Sequence, residues 1–213
     1  MAQTLSISRR YAIAGLAAIA TGACTLRASS KLQARTDLYA CDGCDEAFRN
    51  LPPDLGPRSV IASQNEPGER SVAEGTVYKP DGVTPAGGVI IYAHQTNDSG
   101  LYKTNDPAAS PQQREQMLRG WAKTGADGRY RFETIKPAPY PSMTMPAHIH
   151  LYIAEPGQRS YYVDDIVFAG EFGVDPSYIA RQELRGGSGI VRLTSAADGT
   201  LLARRNIVLE RHP

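Results

Sequence analysis

Two histidines one residue apart, with a tyrosine eight residues before the first, make Tyr140–His150 (YPSMTMPAHIH) the segment of this chain best equipped for chemistry. The chain has four histidines, and two of them lie here. In a strand, residues i and i+2 point to one face about 6.5 to 7 Å apart. Two imidazoles so placed can converge on one metal ion, because each metal–nitrogen bond is about 2 Å and each ring adds reach. A phenol from a facing loop would supply an oxygen donor. The same HxH also fits plain polar packing on a strand, and the pattern alone leaves both readings open.

Those rings need a strand beneath them and a loop beside them. The strand is Ile149, Leu151 and Ile153 alternating with the histidines, read as His148 to Ala154. The loop is set by Pro139, Pro141 and Pro146, which exclude a regular helix and leave Tyr140 facing the strand. Similar short apolar or alternating runs occupy Ser71–Tyr78, Gly88–Ala93, Arg129–Ile135, Tyr161–Phe168, Ile190–Thr194 and Leu201–Leu209. Turn residues separate them. Asp127-Gly128 is the strongest hairpin signal. Helix is scarce: Ser110-Pro111 caps a short one to Leu118, and Asp175-Pro176 another to Leu184. The fold class that follows is all-β, an antiparallel β-sandwich with short peripheral helices.

At 213 residues the chain suits one ordinary domain plus a tail. Residues 1–24 read as an export signal, with Arg9-Arg10 followed by a short apolar run ending in small residues. Thr21-Gly22-Ala23-Cys24 resembles a lipoprotein cleavage site, so lipidation at Cys24 and plain cleavage with secretion both stay open. An exported, periplasmic or extracytoplasmic location is expected, with the membrane touched only through such a lipid anchor. Residues 25–57 read as an irregular tether or arm carrying Cys41-Asp-Gly-Cys44, and residues 58–213 as the β-sandwich. No βαβ unit surrounds the CxxC, which favours a small structural disulfide over a redox motif or a zinc half-site. A net charge of +1 gives no basic surface for nucleic acid.

Gly100-Leu-Tyr102, the Asp127-Gly turn, Thr134-Ile-Lys-Pro-Ala-Pro-Tyr140-Pro and Pro146-Ala-His-Ile-His150 occur in one order and spacing. Over roughly residues 70–170 the chain resembles the intradiol ring-cleavage dioxygenases. That resemblance implies one Fe(III) per chain held by Tyr102, Tyr140, His148 and His150. It implies a catechol-type substrate and O2, with the ring cut between its hydroxyls to a cis,cis-muconate-type product. Tyr140 is then also catalytic, as the ligand that the substrate displaces and that accepts a catechol proton. Phenolate suits ferric iron, whose charge ionises a phenol of ordinary pKa ~10 at neutral pH. Taken alone, Tyr102 and Tyr140 read as well as packing residues.

Two departures stand out against the family pattern. Met145 stands where the family carries arginine, and Asp165 where it carries glutamine. The negative charge of Asp165 leads to a neutral catechol as the expected substrate, with Arg131, Lys103 or Arg119 as compensating cations. A monomer is expected, because about 45 residues between Cys24 and the first matched strand leave no room for the family's helical dimerisation module. Two rivals remain: a non-catalytic transthyretin-like or carboxypeptidase-regulatory-like binding module, and a zinc hydrolase using His148, His150 and a third ligand such as His94.

Overall fold

The computed structural model describes residues 34–213 apart from 42, 50 and 103–116. Among the described residues the elements are α1 (Cys44–Ala47), β1 (Arg58–Val60), β2 (Arg70–Tyr78), β3 (Ile90–Gln95), β4 (Arg119–Lys123), β5 (Arg129–Ile135), β6 (His148–Ala154), β7 (Tyr161–Phe168), α2 (Pro176–Ala180), β8 (Ile190–Val191), β9 (Leu193–Ser195), β10 (Leu201–Arg204) and β11 (Ile207–Val208). One sheet runs β1-β5-β2-β10-β9 with β11 beside β2, and the other runs β4-β3-β6-β7-β8. Lys103 and the helix expected from Ser110 to Leu118 fall largely outside the described residues.

Alternation decides which face each strand buries. Ile91, Ala93, Ile149, Leu151 and Ile153 are at most 0% exposed and meet Ala73, Val77, Phe132 and Ile135 of the facing sheet in one core. Gln95, on the same face of β3, donates to the Ile135 carbonyl at 2.8 Å and accepts from Thr134 at 2.9 Å, so its buried amide is satisfied. The even-numbered residues of β3 and β6 (Tyr92, His94, His148, His150, Tyr152) therefore lie on the outer face of the five-stranded sheet.

The all-β sandwich agrees with the expectation, and the long strands pair antiparallel. Four short pairings are parallel instead: β1 with β5, β7 with β8, and both β10 and β11 with β2. Each follows a connection too long to be a hairpin. The Asp127-Gly128 turn is tight, with Gly128 at φ 73°. It links β4 and β5, which belong to different sheets, and so is a sheet-to-sheet crossing rather than a hairpin. The run Ile190–Thr194 divides at Arg192 between the two sheets, and Leu201–Leu209 divides at Arg205-Asn206. There the Asn206 side chain accepts from Thr76 N at 3.0 Å in place of a backbone carbonyl. A Cβ on Gly75 would stand 1.7 Å from the Arg205 carbonyl, so only glycine admits this crossing. Asp175 caps α2 by accepting from Tyr178 N at 2.8 Å, but the helix ends at Ala180, before the expected Leu184.

Residues before β1 lie against the five-stranded sheet. Leu38 is fully buried, and Ala47 accepts from the Trp121 indole at 2.7 Å. Cys41 and Cys44 are joined by a disulfide. Arg185, 1% exposed, donates to the Leu38 and Asp37 carbonyls at 3.3 and 3.1 Å and pairs with the Asp37 carboxylate at 2.8 Å. Its guanidinium also lies 4.1 Å above the Tyr162 ring.

Candidate metal centre

β6 carries half of the centre. It is hydrogen-bonded to β3 on one side and β7 on the other, so its backbone has no freedom to swing. His148 and His150 leave it on the same face, and their Nε2 atoms are 3.0 Å apart.

Two loops carry the other half, and each braces the other. Asn97 turns the chain after β3: its side chain accepts from Ser99 N and Leu101 N at 3.0 and 2.9 Å. Its carbonyl accepts from Ala138 N at 3.1 Å, and the Ala138 carbonyl accepts from the Thr96 hydroxyl at 2.9 Å. Gly100, at φ 74°, lies so near the second loop that a Cβ would stand 1.9 Å from the Pro139 carbonyl. These ties bring Tyr102 and Tyr140, 38 residues apart, to a hydroxyl separation of 3.0 Å. The Tyr102 hydroxyl is 3.0 Å from His150 Nε2, and the Tyr140 hydroxyl 3.3 Å from His148 Nε2. All four residues singled out from the sequence thus meet at one point.

The protonation of the rings decides what that point can hold. His148 Nδ1 is 2.7 Å from the Pro146 carbonyl, which can only accept, so Nδ1 carries the proton. His150 Nδ1 is 3.0 Å from Asp165 Oδ1. Burial would raise the Asp165 carboxyl, but the charge and hydrogen bond of His150, with His148 and Arg205, hold it below its ordinary value. It is an acceptor, and His150 Nδ1 donates to it. Burial, reinforced by His150, lowers the His148 imidazole below its usual pKa, which leaves the ring neutral at pH 7. With Nδ1 protonated on each ring, two neutral imidazoles would present Nε2 lone pairs to each other across 3.0 Å. A cation among the four atoms turns that repulsion into attraction and replaces the two phenolic protons. Two imidazole nitrogens and two phenol oxygens are a donor set that fits a hard, trivalent ion.

His148, His150 and Asp165 also offer donor atoms within 4.8 Å of one another. Asp165 reaches His150 on Nδ1, however, the side of the ring turned away from the other three donors. It sits behind the histidine. His94 is stacked on His150, with ring centroids 4.4 Å apart and planes at 24°, so it presents a ring face. That leaves His94 out of place as the third ligand named for the zinc-hydrolase rival.

A cleft of about 600 Å³ opens over His150 and Asp165. Tyr152, Tyr162, Tyr178, Phe172 and Met145 give it an aromatic and apolar wall, and Arg181 and Glu183 a charged edge. Of these the sequence reading singled out Met145 alone. Tyr152 was recoverable from its i+2 relation to His150, whereas the others come from β7, loops and α2, which no local pattern ties to the histidines. Among the compensating cations, Arg119 is the register partner of His94 and lies 5.2 Å over the Trp121 ring. Arg131 is a correction: it belongs to the other sheet, paired with Glu74 and Glu133 at 2.6 and 3.1 Å.

Residues 52–203 match the model of the family described as Dioxygenase, well over half of the chain. The chain belongs to the intradiol ring-cleavage dioxygenase family. It is similar to catechol 1,2-dioxygenase 1 of Acinetobacter lwoffii, 30% identical over 120 residues that make up 49% of this chain and 38% of that protein. It is also similar to the protocatechuate 3,4-dioxygenase beta chain of Burkholderia cepacia, 33% identical over 130 residues, 55% of each. Matches span only 38% to 55% of these curated relatives. The dioxygenase domain of a carbohydrate-binding fusion from Streptomyces sp. SirexAA-E superposes with a TM-score of 0.55 at 25% identity, covering 76% of this chain and 93% of that one.

Proposed function

We propose that this family member is an intradiol dioxygenase that uses one Fe(III) per chain and O2 to open a catechol-type ring between its hydroxyls, giving a cis,cis-muconate-type product. The observation that carries this reading is the meeting of Tyr102, Tyr140, His148 and His150 with both Nε2 lone pairs turned inward. When bound, ferric iron supplies Lewis-acid polarisation of the catechol and a template for ring and dioxygen. The histidines hold their places through β6. Tyr140, in a proline-flanked loop, would be the donor that yields to the substrate, and its phenolate would take a catechol proton. The aromatic wall of the cleft receives the flat ring and keeps bulk water from it. Asp165 lines the same cleft, which favours a neutral catechol over a carboxylated one. The Cys41–Cys44 disulfide supports work outside the cytoplasm.

The test is the metal content and visible spectrum of the purified protein, before and after catechol is added under air. About one iron per chain, a tyrosinate-to-iron charge-transfer band that shifts with catechol, and formation of a muconate carry the reading. A protein that stays colourless after iron loading and leaves catechol intact refutes it and returns the binding-module rival.

A further inference from the structure

Asp165 occupies a place that the four donors do not account for. Val163 and Ile166 both face the sandwich core although they are three residues apart. The reason is in the pairing of β6 with β7: Ile149 faces Ile166 and Leu151 faces Val163, so His150 alone stands opposite both Asp164 and Asp165. This one-residue excess is a β-bulge, which re-aims a side chain at the point where it occurs. Strict alternation after Val163 would send Asp165 into the core. The bulge instead brings its carboxylate to the outer face, 3.0 Å from His150 Nδ1.

The surroundings are shaped to hold that bulge. Asp164 N donates to the Arg185 carbonyl at 3.0 Å, and the Asp164 carbonyl accepts from the guanidinium of Arg205, which is 2% exposed. The Asp164 carboxylate accepts from Leu184 N and Arg185 N at 2.9 and 3.1 Å. On the far side, a Cβ on Gly189 would stand 1.9 Å from the Asp165 carbonyl, so β8 can approach only because that residue is glycine. Four hydrogen bonds and the close approach of Gly189, from three separate parts of the chain, fix one irregular dipeptide.

We infer that Asp165 is a positioning residue: its carboxylate holds the His150 ring in the Nδ1–H tautomer and aims Nε2 at Tyr102, Tyr140 and His148. The inference rests on the reading of those four residues as the metal's donors. A carboxylate on the outer nitrogen also makes the imidazole a better donor, and loss of such a partner typically costs about 10–100-fold in metal affinity. Glutamine, the residue expected here from the family pattern, would be a neutral partner. This chain carries a charged residue at that position, and the bulge delivers it to His150.

Two measurements test this together. Long-range 1H–15N correlation spectra of metal-free protein read the histidine tautomers directly, and competition with a chelator reads the iron affinity. In the wild type His150 is expected to be protonated on Nδ1 and not on Nε2. Asp165→Ala should mix the tautomers and weaken iron retention about 10–100-fold, while Asp165→Asn, which keeps an acceptor, recovers most of the loss. The inference is overturned by an Nε2–H tautomer in the wild type, or by an Asp165→Ala protein with unchanged tautomer and affinity. It is equally overturned if Asp165→Ala, still folded, loses iron as completely as His150→Ala, since Asp165 would then be a donor itself. A wild type with the expected tautomer that never develops the iron band would sink the ferric reading and leave the role of Asp165 toward His150 intact.

Discussion

His148 and His150 stand on a strand bonded along both edges, whereas Tyr102 and Tyr140 stand on loops held by a handful of hydrogen bonds. The imidazole pair is placed by the same backbone that builds the core, so its geometry is as stable as the sheet. The phenol pair is placed by contacts between two loops outside the sheet ladders. One half of the centre is thus a platform set by the sheet and the other a cover set by loop contacts alone. That division suits the proposed function, in which one phenol would leave and return while the metal stays.

The largest effect is expected from breaking the platform. His148→Ala or His150→Ala should abolish iron retention, and with it colour and ring cleavage, while circular dichroism shows the sandwich intact. Retention of one iron per chain by either variant would contradict the assignment. Next come the two phenols, which the comparison predicts to behave differently. Tyr140→Phe should lower kcat by about 10²–10⁴-fold through loss of the base, with iron largely kept. Tyr102→Phe should weaken iron retention and shift the band. Equal effects of the two on kcat and on iron content would erase the distinction between a donor that leaves and one that stays.

A smaller effect should follow from loosening the cover alone. Gly100→Ala places a Cβ against the Pro139 carbonyl at a positive φ, at a cost of about 1–3 kcal/mol in strain. Thermal unfolding should fall by a few degrees while catechol turnover falls more, because the brace aligns the phenols. An unchanged KM and kcat would show that the loops align themselves without it.

The smallest effect is a pH response of the metal-free protein. Burial, with repulsion from His150, His148 and Arg119, holds His94 well below 6.5, and burial also lowers His148. Below pH 6.5 the unfolded chain therefore binds more protons at these positions than the folded one. Stability should fall as pH drops from about 6.5 toward the depressed folded values. Thermal midpoints measured between pH 7.5 and 5 check the sign, and iron loading should blunt the loss by holding His148 unprotonated.

Much of this was legible in the residues. β5 and β6 match the expected bounds because each has a long alternation over a buried face, and β7 matches them although its bulge interrupts the alternation after Val163. β1 and β4 escaped notice: three and five residues, with Gly120 where a buried side chain would have marked the inner face. A Cβ on Gly120 would stand 2.5 Å from Ser59 Oγ, so the very feature that hid β4 is what lets β1 lie across it. The division of Ile190–Thr194 between the sheets and the break between β10 and β11 were equally hidden, since alternation records which face is buried and not which partner lies alongside.

The sequence by itself determined the alternation that puts His148 and His150 on one face, the prolines that make Tyr140 a loop residue, and the order of the four donors. These are local properties, set by backbone periodicity and by proline's fixed φ. Only the tertiary structure decided that Tyr102 reaches Tyr140 through the Asn97–Ala138 brace and that α2 and the residues before β1 close a cleft over the site. It also decided that a bulge opposite His150 turns Asp165 from the core toward the histidine's outer nitrogen. Each depends on contacts between residues tens of positions apart, whose geometry is fixed by packing rather than by any repeat along the chain.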